Sequence, residues 1–185
     1  MEFYLSADNY FNRGNNLCLS GDYEGGIKAY DQAIRIRKDF HEAWHNRGVA
    51  IFFLDREEEA LVSFDKAIEL QPEFYQAWYS RGVLRLKRMK DIYLGPGSLD
   101  LSEESKKQYQ EAIASFNKTI EIEQKYHRAW YDRAECYAII QEVDLAIKDL
   151  KQAIDLNHEY KTKAKTNTYF DEIREDERFK KLIED

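Results

Sequence analysis

Apolar side chains recur along this chain at spacings of three and four residues, the period of one helix face, and no stretch alternates convincingly in the manner of a strand. Only two prolines and eight glycines interrupt the pattern, so it predicts an all-α chain. The pattern also repeats. YDQAIRI at 30–36 returns as FDKAIEL at 64–70, FNKTIEI at 116–122 and LKQAIDL at 150–156. FHEAWHNRG at 40–48 returns as FYQAWYSRG at 74–82 and YHRAWYDRA at 126–134. The step from Gly14 to Gly48 and from Gly48 to Gly82 is 34 residues. Trp78 to Trp130 spans 52, so the third unit is longer by 18, and the 34-residue step resumes from Ala112 to Ala146. Self-similarity at a fixed period of this length signals stacked supersecondary units.

The best copy places Trp44, Gly48, Ala60, Phe64, Ala67 and Pro72 in order. Tyr10, Gly14, Gly26, Tyr30 and Ala33 fill these slots in the first copy, and Trp78, Gly82, Ala112, Phe116 and Thr119 in the third. The fourth has Trp130, Ala134, Ala146, Leu150 and Ala153, with Ala in place of Gly, and Pro is missing outside the second copy. Small residues let paired helices approach, and aromatic rings fill the space between units. The pattern resembles the tetratricopeptide repeat, over about residues 7–160. The resemblance implies a right-handed α-solenoid of antiparallel helix pairs in one domain. Its repeats would be 7–40, 41–74, 75–126 and 127–160, with an 18-residue insertion near 88–105. Segment 161–185 is expected to cap the last repeat through Phe170, Ile173, Phe179, Leu182 and Ile183. It is similar to the terminal segment of some bacterial proteins of this family.

The net charge of −7, with Lys and Arg spread along the chain, argues against nucleic acid as partner. No apolar run approaches the length of a membrane span, and MEFYLSADNYFNRG has no features of a secretion signal, so a cytoplasmic protein is expected. Cys18 and Cys136 lie far apart and are expected as reduced thiols.

HEAWH at 41–45 matches the short zinc-peptidase signature, which raises a zinc-dependent hydrolase at His41, Glu42 and His45 as an alternative of a different class. The same slots hold Tyr75, Gln76 and Tyr79 in the next unit and His127, Arg128 and Tyr131 in the fourth. A catalytic motif is not expected to grade into tyrosine at the repeat period. No phosphate-binding loop, nucleophile elbow or kinase signature occurs; Gly95, Pro96 and Gly97 read as a turn, and Glu57, Glu58 and Glu59 as the acidic start of a helix. No cofactor, no metal and no catalysis are expected.

Function is therefore expected on a surface. The resemblance implies that first helices line a groove, with Phe11, Asn15, His45, Val49, Phe52, Tyr79, Val83, Lys87, Arg128, Tyr131 and Glu135 facing a partner. Cys18, Leu19 and Phe53 occupy further groove slots. Phe11, His45, Tyr79 and Tyr131 form a ring stripe that reads either as a partner surface or as packing between units. A chaperone C-terminal carboxylate is not expected: Asn15 and Asn46 match clamp positions, but Phe11, Gln76 and Ser80 replace its cations. An apolar or amphipathic protein or peptide suits the groove better, and self-association through an array end is a second binding reading. The recurring Arg13, Arg47, Arg81 and Arg133 read either as a ladder for acidic ligands or as packed stems whose heads pair with carboxylates such as Asp31 and Asp65. Both helices of the third unit are expected to run past their usual ends around the insertion.

Overall fold

The computed structural model describes residues 6–92 and 103–184, and among these it contains helices and no strand. The chain divides into two compact units, Met1–Leu84 and Arg85–Asp185. The first holds α1 (Ala7–Leu19), α2 (Tyr23–Ile36), α3 (His41–Phe52), α4 (Glu57–Leu70) and the start of α5 (Tyr75–Ile92). The second holds the end of α5, α6 (Glu103–Ile122), α7 (His127–Ile139), α8 (Val143–Leu156), α9 (Glu159–Thr166), a 3-10 helix (Thr168–Ile173) and α10 (Glu177–Ile183). Within them α1 packs on α2, α3 on α4 and α7 on α8, and successive pairs in a unit meet through α2 with α3 and through α6 with α7.

The pairs close where the sequence places its smallest residues. A methyl group on Gly14 would lie 2.6 Å from the Tyr30 ring, and one on Gly48 would lie 2.7 Å from the Phe64 ring. Those distances leave no room for a Cβ. In the fourth repeat Ala134 stands where the others have Gly, and its opposite number is Leu150 instead of an aromatic. Both are fully buried in one cluster, so the loss of the ring accompanies the gain of the methyl.

The turns of the α1/α2, α3/α4 and α7/α8 pairs each contain one residue with positive φ: Gly21 at 85°, Asp55 at 56° and Gln141 at 64°. These positions recur in the repeat register, and the left-handed backbone there costs little only for glycine. Helix starts divide into two kinds. Ser6 caps α1 reciprocally with Asn9, and Asp22 caps α2 by accepting from the Gly25 N–H at 2.8 Å. Phe40, by contrast, precedes α3 with no side-chain acceptor to offer, and buries its ring 4.8 Å from Phe11. Burial of this ring against the first helix of its own repeat stands in place of a side-chain cap.

The recurring arginines are structural. Arg47 on α3 donates to Asp31 on α2 at 2.8 Å, and to Ser63 at 2.6 Å and Glu59 at 2.9 Å on α4. Arg81 reaches Asp65 at 3.1 Å, and its guanidinium lies 4.5 Å from the centre of the Trp78 ring. Arg133 forks onto Asp149 at 2.6 and 2.9 Å, reaches Asn117 at 2.6 Å and lies 4.9 Å from the Trp130 ring centre. Their heads are committed to carboxylates and amides between helices. Arg13 differs: it is exposed on α1 beside Asn9, Asn12 and Asn16.

The helices α5 and α6 run for 18 and 20 residues, against 12 to 14 for the other paired helices. Arg85 on α5 pairs with Glu111 on α6. The turn expected at Gly95, Pro96 and Gly97 lies outside the described residues. At the other end of the second unit, Phe170, Ile173 and Phe179 are fully buried in the cluster that holds Leu150, Ala153 and Ile154. Residues 159–183 thereby cover the apolar face of the last helix pair.

Gly48→Ala should lower stability to urea by about 1–3 kcal/mol through overpacking. Adding Phe64→Leu, which copies the fourth repeat, should recover part of that loss. Gln141→Gly should raise the stability by up to about 1 kcal/mol, the relief of left-handed strain exceeding the entropy that glycine adds to the unfolded chain.

Candidate partner-binding surface

In the first unit the residues expected to face a groove are half-buried on α1, α3 and the beginning of α5. The aromatic stripe proves to be partly packing. Phe11 lies against Tyr30 and Phe40, with centroids 5.9 and 4.8 Å apart, and His45 lies 5.8 Å from Phe64 and 5.3 Å from Phe74. The aromatic that ends a repeat thus covers the ring on that repeat's first helix. Tyr79 and Val83 are half-buried on α5, and Phe52 is half-buried beside Phe53, with centroids 6.0 Å apart.

A polar chain runs among these rings. Asn15 Oδ1 accepts from the Tyr30 hydroxyl at 2.8 Å and from Asn46 Nδ2 at 2.9 Å. His45 Nδ1 lies 3.1 Å from Asn46 Oδ1, and its Nε2 lies 2.9 Å from Ser80 Oγ. A neutral ring donating to Asn46 and accepting from Ser80 satisfies both contacts. Burial pushes the His45 imidazole below the ordinary histidine value, opposed in part by the Asn46 hydrogen bond. The ring nitrogens of His45 are thus spent within the fold, while His41 pairs with its neighbour Glu42 at 3.3 Å. Among the described residues no group of three or more His, Cys, Asp or Glu side chains is placed to hold a metal ion.

Asn15 and Val49 come together in the wall of a cavity of about 360 Å³, completed by Cys18, Leu19, Tyr23, Tyr30, Asn46, Ala50 and Phe53. No charged side chain lines it. Leu19 is 86% exposed and Phe53 is 57% exposed, while the Phe53 ring stacks on Tyr23 with centroids 4.9 Å apart. Tyr23 is invisible to the groove reading because it opens a second helix.

The second unit differs. Lys87 is half-buried on α5 and Arg128 is exposed on α7, but Tyr131 and Glu135 are 5% and 4% exposed. Tyr160 stacks on Tyr131 at 4.4 Å, Phe170 meets its edge at 5.7 Å, and Asn167 donates to the Tyr131 hydroxyl at 2.9 Å and to Glu135 at 2.6 Å. The chain's own segment after the repeats occupies that face of α7. Asn167 lies outside the repeat register, so no periodic signal points to it.

These features define the class as a helical-repeat protein built from stacked antiparallel helix pairs. The TPR repeat profile matches residues 7–52 and the tetratricopeptide repeat profile matches residues 101–159, together more than half of the chain. A protein prenyltransferase alpha subunit repeat profile matches residues 57–87. The chain belongs to the tetratricopeptide repeat family. MamA from Desulfovibrio magneticus RS-1 is similar in structure, with 20% identity, a TM-score of 0.70 and coverage of 96% of this chain and 93% of that one. TTC0263, a thermophilic TPR protein of Thermus thermophilus, has 16% identity, a TM-score of 0.69 and coverage of 96% and 86%. The first TPR of Spaghetti (RPAP3) bound to an HSP90 peptide has 18% identity, a TM-score of 0.60 and coverage of 74% and 96%. No curated protein matches the chain. Among the described residues no helix is long and apolar enough to cross a membrane.

Because the folded pKa of His45 lies below its unfolded value, the unfolded chain binds more protons as pH falls through about 6.5. Stability should therefore decrease below about pH 6.5, by at most about 1.4 kcal/mol per pH unit from this group, and level off below the folded pKa. Urea melts of the wild type and His45→Gln between neutral and mildly acidic pH should show a shallower slope for the variant.

Proposed function

We propose that this protein is a non-catalytic cytoplasmic adaptor or assembly factor that holds an apolar or amphipathic segment of a partner protein against the first helices of its repeats. In the first unit the contact surface comprises Phe11, Asn15, His45, Val49, Phe52, Tyr79 and Val83, with Leu19 and Phe53 beside them. Lys87 and Arg128 would contribute in the second unit, where Tyr131 and Glu135 serve the fold. The observation that carries this reading is the uncharged cavity opening beside the exposed Leu19 and Phe53. A buried interface needs such an anchor site for a large side chain.

The reading also accounts for what the surface lacks. Arg47, Arg81 and Arg133 are spent between helices, and Phe11, Gln76 and Ser80 stand where a carboxylate clamp needs cations. The peptide SRMEEVD bound to the Spaghetti domain is acidic, and this chain offers little to balance such a charge. The engagement of His45 with Asn46 and Ser80 supports the non-catalytic reading against a zinc hydrolase.

Affinity capture from the source cells with wild type beside Val49→Asp/Phe52→Ser tests the reading. A protein retained by wild type and lost by a variant whose circular dichroism is unchanged is the expected result. Equal capture by both forms would place the interaction elsewhere.

A further inference from the structure

The arginine ladder is complete in three repeats and open in the first. Arg47, Arg81 and Arg133 each reach a side chain 16 residues earlier, on the second helix of the preceding repeat: Asp31 at 2.8 Å, Asp65 at 3.1 Å and Asn117 at 2.6 Å. The corresponding position for Arg13 would precede Met1. Its own second helix offers no substitute. Gly25 and Ala29 stand where the second repeat presents Glu59 and Ser63 to Arg47, and the fourth repeat presents Asp149 to Arg133 from the Ala29 slot. Among the described residues Arg13 makes no hydrogen bond or ion pair, and it is exposed.

The face around it has changed its chemistry as well. Asn9 and Asn16 occupy the slots that hold the buried Ala43 and Ala50 in the second repeat and the buried Ala129 and Cys136 in the fourth. Where α3 turns small apolar residues toward α2, α1 presents amides: Asn9, Asn12 and Asn16 line one hollow with Arg13 and Leu17. Asn9 accepts from Ser6 through its Oδ1, which leaves its NH2 to donate. An apolar partner gains little on such a surface, whereas a carboxylate finds a planar cation with amide donors beside it.

We propose that the outer face of α1 docks an acidic segment of a partner protein, with an Asp or Glu carboxylate on the Arg13 guanidinium in the place that Asp31 takes on Arg47. The site lies off the groove positions of α1, Phe11 and Asn15, and adds a second contact surface to the adaptor reading. A second copy of the chain does not fit it. The fourth repeat carries Lys151 in the slot of Asp31 and Asp65, and residues 159–183 already cover that helix pair. Pairing α1 with α1 would set Arg13 against the same face, and the acid on that helix, Asp8, is paired with Arg37. One cation is too few for the phosphate backbone of a nucleic acid.

The test follows the isotope-labelled full chain by NMR during titration with a short peptide of Asp and Glu between glycines, beside the same peptide carrying Asn and Gln. The acidic peptide should shift the Arg13 Nε–H and the Asn12 and Asn16 side-chain amides to saturation, and the amide peptide should not. Arg13→Gln should lower the affinity about fivefold or more, and Arg13→Glu should abolish binding. Neither should change the circular dichroism or the urea midpoint, since Arg13 holds no neighbouring helix. Arg47→Gln should lower that midpoint, which separates docking from stacking. Equal shifts with the amide peptide, unchanged affinity in Arg13→Gln, or shifts centred on other cations overturn the proposal. Saturation by inorganic phosphate at the same concentration would make the face a small-anion site and overturn the peptide assignment. A dimer seen in sedimentation and dissolved by Arg13→Glu would assign the face to a second copy instead. Val49→Asp/Phe52→Ser, which tests the adaptor surface, should leave this binding unchanged, so the two readings can fail separately.

Discussion

Everything in this fold depends on the contact between a missing side chain and a ring. Gly14 under Tyr30 and Gly48 under Phe64 let the two helices of a repeat come close enough to share one apolar layer. Once that distance is set, the remaining faces of each pair can be covered only by the next pair or by a cap. The fourth repeat meets the same constraint from the opposite side, with a methyl at Ala134 and a smaller partner at Leu150. The two solutions give the same packing from different residue pairs.

That packing decides which side chains are left for a partner. The rings of Phe11, His45 and Tyr131 look like an interaction stripe when laid out by register, yet each is partly covered by Phe40, Phe74 or Tyr160. Arginine heads that would suit an acidic ligand instead hold neighbouring helices together. What remains open in the first unit lies toward the loops between paired helices, where Leu19 and Phe53 extend past the core. Surface chemistry here is thus a residue of what stacking does not consume.

The helix pairs, their all-α class and the structural use of Asp31 and Asp65 are legible in the sequence, because each rests on a periodic steric or charge requirement that shows up in several copies. The site is only half legible. Register places Asn15 and Val49 on a common wall but says nothing of Tyr23, which belongs to a second helix and reaches the cavity by stacking on Phe53. It also cannot reveal Asn167, which lies beyond the repeats and bonds both Tyr131 and Glu135. The strained turns at Asp55 and Gln141 are equally hidden, since neither is the glycine that such a backbone favours. Periodicity reports what is shared among repeats, and a binding site is built from what differs.

The arginine contacts also bear on how the chain comes apart. Arg47 holds α2, α3 and α4 through three separate acceptors, and Arg133 joins α6, α7 and α8 through Asn117 and Asp149. Fraying one helix pair therefore strands a buried guanidinium or carboxylate in the next. The interfacial coupling between those repeats is raised relative to the stability of either alone, as in a one-dimensional chain of spins with strong neighbours. Amide exchange within each such pair of repeats would then proceed through a common opening, with the helices linked by one arginine exchanging as a block.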